Sequence, residues 1–177
     1  MGRKTSLMAL ILLFVGFGIG MGFDRNTKFE YGVTQEATVT KVVDGNTVEL
    51  LFRNDLVGEV RTAKLKGVVA SWKGDDGACF AENSKRFLND LLNGTTVTVM
   101  WDSGDKVDSK GNPLVYLWLG KFLDINGLVV TTGNGWVARM FPGDRKEAYL
   151  AFEAKARAEK RGLWGSCSEE FLSKLTH

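Results

Sequence analysis

The chain has 177 residues, 44% hydrophobic and 25% charged, with 23 basic against 21 acidic side chains for a net charge of +2. That length suits one compact domain with a sizeable core and a short appendage. The near-balance of charge argues against a protein that grips polyanions through a global excess of Lys and Arg.

The appendage is N-terminal. Arg3 and Lys4 precede an apolar run from Leu7 to Phe23, interrupted only by small glycines. A basic flank followed by such a run reads as an export signal or signal anchor (residues 1–23) rather than a buried core helix, since it is terminal and lacks amphipathic periodicity. It is at the short end for a spanning helix, which needs roughly 17–25 residues. No Ala-x-Ala site follows; Gly18-Ile19-Gly20 is the nearest substitute, and there is no lipobox cysteine. The expected location is extracytoplasmic, either secreted or held on the membrane through residues 7–23, with the basic flank inside. Removing the leader takes away Arg3 and Lys4 and no acids, which leaves 21 basic against 21 acidic residues.

A polar linker over 24–35 leads into strand signals. Ala37 to Val43 alternates and is β-branched, Asp44-Gly45 is a tight-turn signal, and Thr47 to Phe52 returns across it. A third strand is expected over Glu59 to Val69, after the Asn54-Asp55 turn. The loop Lys73-Gly74-Asp75-Asp76-Gly77 interrupts the pattern. Phe80, Phe87, Leu88, Leu91 and Leu92 then share one face, so an amphipathic helix is expected over Phe80 to Leu92, ending at Gly94. Strands are expected again at Thr95 to Trp101 and Leu114 to Leu119, separated by a polar turn from Asp108 to Pro113. A short helix is expected over Asp124 to Thr132 and a longer one over Arg145 to Arg161, stopped by Gly162. This order indicates an α+β domain with a small antiparallel barrel over 36–168 and a C-terminal tail over 169–177.

Two cysteines, Cys79 and Cys167, lie far apart, with no Cys-x-x-Cys pair and a single histidine, His177. In an exported chain this favours one disulfide over a metal site, the alternative being two free buried thiols. A bridge would close a loop of nearly ninety residues and stabilise by roughly 4 kcal/mol in the chain-entropy model. His177, on the terminus, is a poor general base, and no serine, cysteine or lysine nucleophile has a recognisable partner.

Four segments, in order, resemble the thermonuclease, or staphylococcal-nuclease-like, family. They are Val43-Asp44-Gly45-Asn46-Thr47-Val48, Lys64-Leu65-Lys66-Gly67-Val68-Val69-Ala70-Ser71-Trp72, Asp108-Ser109-Lys110-Gly111-Asn112-Pro113-Leu114-Val115-Tyr116, and Glu153-Ala154-Lys155-Ala156 leading to Arg161-Gly162-Leu163-Trp164-Gly165-Ser166-Cys167. The resemblance covers about Ala37 to Cys167. It implies a five-stranded antiparallel OB-type barrel with three helices, here preceded by the apolar signal or anchor helix. Exported members with a Cys-Phe before the first helix and a Cys after Gly-Leu-Trp look similar, which supports a Cys79–Cys167 bridge.

Family members cleave phosphodiesters with one calcium ion, which takes several oxygen ligands, mostly carboxylates. A glutamate serves the attacking water and two arginines brace the phosphate. Carried over by position, the two metal aspartates fall on Asn46 and Val69, and the glutamate on Trp72. The arginines fall on Lys64, which keeps charge but loses the bidentate fork, and on Asn112. Asp44 is retained and supports the turn; Asp44 and Asn46 are at most weak metal candidates. Asp75, Asp76 and Glu82 are the only nearby acids for a displaced site, and they read more simply as a solvated loop and a helix-start acid.

Trp72 beside Val69 turns a polar cleft apolar, either as a stacking or protein-contact surface or as a filler of vacated space. Lys110 on the polar turn, and Arg139 and Phe141 where the family has aromatics beside its nucleotide site, complete the candidate binding set. Trp136 reads as core packing, Trp164 as an anchor for the last helix, and Lys155 with Glu159 as a solvated face. The leading expectation is a non-catalytic binding module for a protein or other polymer ligand. The alternatives are a divergent calcium-dependent nuclease and a non-cleaving binder of single-stranded nucleic acid. No cofactor is expected, calcium belonging only to the divergent-nuclease alternative.

Overall fold

The computed structural model describes residues 34–53, 58–71, 79–101 and 106–175. The expected signal or anchor helix over 1–23 and most of the linker lie outside them. Among the described residues no helix is long and apolar enough to cross a membrane.

Strands β1 (Thr34–Asp44), β2 (Thr47–Arg53) and β3 (Gly58–Leu65) form an antiparallel meander, and β5 (Thr96–Met100) and β6 (Leu114–Leu119) continue it from the other edge of β1. The alternation read from the sequence is the burial pattern. Val39, Val48, Leu50, Val97 and Val99 point inward, while Thr40, Lys41 and Glu36 are exposed. Burying one face of each strand fixes register, because a one-residue slip would turn every one of these valines to water.

The five strands close where β3 meets β6, Lys64 opposite Leu114 and Leu65 opposite Val115. That closing pair is parallel, so the expected all-antiparallel barrel is corrected at its seam. The third strand is also shorter than expected. It does not run on to Val69: Gly67 takes a left-handed φ of 76°, and a Cβ there would lie 2.6 Å from the Phe141 ring. Only glycine meets both constraints. The chain turns at Lys66-Gly67 and leaves the barrel as β4 (Val68–Val69), pairing with β8 (Trp136–Val137).

The helices number five among the described residues, against three expected. α1 (Ala81–Leu92) and α3 (Lys146–Ala158) match the long amphipathic readings, and α2 (Ile125–Thr131) the short one. Leu88 and Leu92 of α1, Val129 and Val130 of α2 and Tyr149 of α3 join the barrel core. Asn126 of α2 ties these layers together: its fully buried amide accepts from the Leu117 N–H and donates to the Lys66 and Val115 carbonyls, all at 3.0 Å. α4 (Leu163–Ser166) and α5 (Glu169–Lys174) are additional, as is the short β7 (Leu123–Asp124). α4 and α5 have four and six residues, too few for a readable helical period. Cys79 and Cys167 form a disulfide joining the start of α1 to the residue after α4. It supplies the long-range closure that the cysteine count suggested.

Candidate functional site

The β1–β2 turn, β4, the end of β3 and the Asp108–Pro113 turn bring four of the five family-equivalent positions onto one side of the barrel. Trp72, the fifth, lies outside the described residues, as do Asp75 and Asp76.

The hairpin turn is internally braced. The Asn46 N–H donates to Asp44 Oδ1 at 2.9 Å, so Asp44 holds the turn. Gly45 sits where a Cβ would come within 2.7 Å of both Ala70 Cβ and Ser84 Cβ, so turn, β4 exit and α1 meet without room for a side chain. Asn46 then uses its amide on its own neighbours. Nδ2 donates to the Val68 carbonyl at 2.8 Å, and Oδ1 accepts from Thr47 Oγ at 3.2 Å. Val69, half-buried, lies opposite Trp136 in the two-stranded β4–β8 ribbon.

Calcium requires several convergent oxygens, carboxylates above all. Asn46 turns its donor face toward a backbone carbonyl, and Val69 has no ligating atom. Asp44 uses Oδ1 to hold the turn and is, among the described residues, a lone carboxylate there. Among the described residues no group of three or more His, Cys, Asp or Glu is placed to hold a metal. The described side chains at these positions do not fit the ion that the family resemblance implies.

The two phosphate-bracing positions converge on one carboxylate. Lys64 Nζ lies 3.0 Å from Asp108 Oδ2, and Asn112 Nδ2 donates to the same oxygen at 3.0 Å. The backbone N–H groups of Lys110 and Asn112 both donate to Asp108 Oδ1 at 2.9 Å. Burial works to raise the Asp108 carboxyl, but hydrogen bonds from Asn112, Lys64 and Lys110 outweigh it and hold it well below the usual carboxylate range. Lys64 is thus matched by an opposite charge, and Asn112 points at its own turn. The Asp108 carboxylate adds stability that is complete above its unfolded pKa of about 4 and fades as pH falls toward its depressed folded value. Asp108→Asn is expected to cost about 1–3 kcal/mol at pH 7, the range for breaking hydrogen bonds to a charged group. Urea denaturation at pH 7 and pH 3 should show this gap narrowing in acid; an equal gap at both would contradict the assignment.

Lys110 is exposed at the tip of the same turn. Phe141 packs its ring against Gly67, in the turn that leads to Val69. Arg139 is drawn elsewhere, to Glu153 Oε1 at 2.6 Å. Glu153 is a residue whose role the sequence did not disclose. It is 2% exposed, accepts the Val137 N–H at 2.7 Å, and lies 2.7 Å from Arg157 Nη2 as an ion pair lacking hydrogen-bond alignment. Arg157 in turn covers the Trp164 ring at 4.1 Å. The only hint was the i,i+4 spacing of Glu153 and Arg157. Lys155 and Glu159 are exposed, as a solvated face requires.

Residues 56–166 match the sequence model of a protein family described as Staphylococcal nuclease homologue. An uncharacterized protein of Bacillus anthracis is 32% identical over 80 residues, which is 44% of this chain and 37% of that protein. This chain therefore spans well under half the length of that relative.

Proposed function

The chain belongs to the staphylococcal nuclease homologue family, and we propose that its domain is a non-catalytic module binding a protein or other polymer ligand through the side of the barrel where the family resemblance implies metal and phosphate. The observation that carries this reading is the hydrogen bonding of Asn46 to its own neighbours. Its amide is spent on Val68 and Thr47, beside an apolar Val69. An uncharged amide oxygen that already accepts from Thr47 is a poor ligand for a hard cation.

Lys64, Asp108 and Asn112 support the same reading, since their mutual contacts leave the phosphate side without an unmatched cation among them. The balance of 21 basic and 21 acidic residues beyond the leader adds no global field for a polyanion. The disulfide and the basic–apolar N-terminus together support placement in an oxidising, extracytoplasmic compartment, secreted or membrane-held.

The test incubates the purified protein with labelled single-stranded DNA and RNA, in calcium or in chelator, and reads both cleavage and thermal shift. Neither signal is expected. Calcium-dependent cleavage lost in Asn46→Ala would establish the divergent nuclease, and salt-sensitive binding without cleavage would establish the single-strand binder.

A further inference from the structure

The apolar interior is divided in two. The main cluster fills the barrel and takes in Leu88 and Leu92 from the second half of α1. A smaller one gathers Ala156, Leu163 and Trp164, with Phe80, Trp136, Cys167, Leu172 and Leu175 packed around it, and shares no residue with the first. The disulfide lies within this smaller body: Cys167 is a member and Cys79 precedes Phe80.

Three features place the edge of the smaller cluster beside that bond. α5 buries no residue fully and is held through Leu172 and Leu175. Phe80, at the N-cap of α1, has a left-handed φ of 70° and caps the helix with no side-chain hydrogen bond. A non-glycine residue in that region persists where its surroundings over-determine it, and Phe80 is the chain neighbour of the bridged Cys79. Both cysteines are half-buried rather than enclosed in the core.

The cluster also borders the candidate site. Trp136 belongs to it and lies opposite Val69, and Ser84, one turn into α1, abuts Gly45 of the hairpin.

We propose that the Cys79–Cys167 disulfide is a redox-operated clamp. A dithiol reductant passes two electrons and two protons to the two sulfurs and leaves as its own disulfide, breaking the S–S bond and forming two thiols. The released Phe80 relaxes, α5 detaches with Leu172 and Leu175, and the Trp136 face beside Val69 becomes accessible while the barrel and the buried Leu163 and Trp164 stay in place. Oxidation closes the surface again.

Hydrogen exchange followed by mass spectrometry tests this on the oxidised protein, on the same protein in dithiothreitol, and on the Cys79→Ser/Cys167→Ser variant. Exchange at Ser84 and in residues 167–175 should accelerate at least about tenfold more than at the central amides of β1, β2 and β5, which feel only the bond's share of global stability. Acceleration shared equally by the barrel strands would overturn the clamp, because the bond would then hold the whole fold. Unchanged exchange in both segments would overturn it too. If the variant does not fold, the dithiothreitol arm decides alone.

Discussion

Rebuilding the altered positions, as Asn46→Asp, Lys64→Arg, Val69→Asp, Trp72→Glu and Asn112→Arg in one chain, is expected to create calcium-dependent cleavage of single-stranded DNA. The turn that would receive the first carboxylate is intact, with Asp44 holding the Asn46 N–H. The second carboxylate would enter at a half-buried position on β4, a strand fixed by pairing with β8. Arg at 64 keeps the partner Asp108, and Arg at 112 loses only the side-chain half of its tie to that residue. Each transition-state donor is worth about 10²–10³ in rate, so the rebuilt chain should exceed the native one by at least about 10². The loss of the Asn46–Val68 hydrogen bond costs about 1–3 kcal/mol, and bound calcium offsets part of it. A variant that melts cooperatively and stays inactive would show that these five positions do not account for the chemistry.

The largest stability effect is expected at Glu153. Its carboxylate is nearly inaccessible and serves the Val137 N–H, Arg139 and Arg157 together. Removing one partner of a buried ionic cluster costs about 3–5 kcal/mol, because the remaining groups lose their compensation. Glu153→Ala should therefore reduce the urea-unfolding free energy by that amount. Glu153→Gln, which keeps an acceptor for Val137, should cost less. A loss under about 1 kcal/mol in the alanine variant would mean that solvent replaces these contacts freely. The change also reaches the candidate site, since Val137 belongs to β8, whose neighbour Trp136 faces Val69.

The barrel was legible in the sequence because it is written at a period of two. Ala37, Val39, Val48 and Leu50 face the core with polar residues between them, and Asp44-Gly45 marks the turn. The helix over Phe80 to Leu92 was legible through its leucines, two of which are fully buried. The break at Gly67 was not, because Lys66-Gly67-Val68-Val69 carries the residue types of a continuing strand. What breaks it is the Phe141 ring, 74 positions away in sequence and in contact in space. α4 and α5 were missed because elements of four and six residues hold through contacts that no local pattern records.

At the site, the identity of each replaced residue could be read, but its use could not. Asn46 looks like a weakened ligand in the sequence; in the structure it is a donor to Val68. Lys64 and Asn112 looked like two weakened phosphate contacts, and they turn out to share Asp108. Arg139, read from the sequence as a binding residue, pairs with the buried Glu153. In each case a polar side chain is satisfied by a partner distant in sequence, which residue types alone do not announce.

Calcium titration of the native protein by calorimetry decides whether this side of the barrel holds metal, since metal binding precedes any chemistry the fold could support. With an amide turned to a carbonyl at position 46 and a valine at 69, no saturable heat is expected up to about 10⁻³ M calcium, the weak end of protein sites. Stoichiometric binding abolished by Asn46→Ala would contradict the account and restore this side of the barrel as a metal centre.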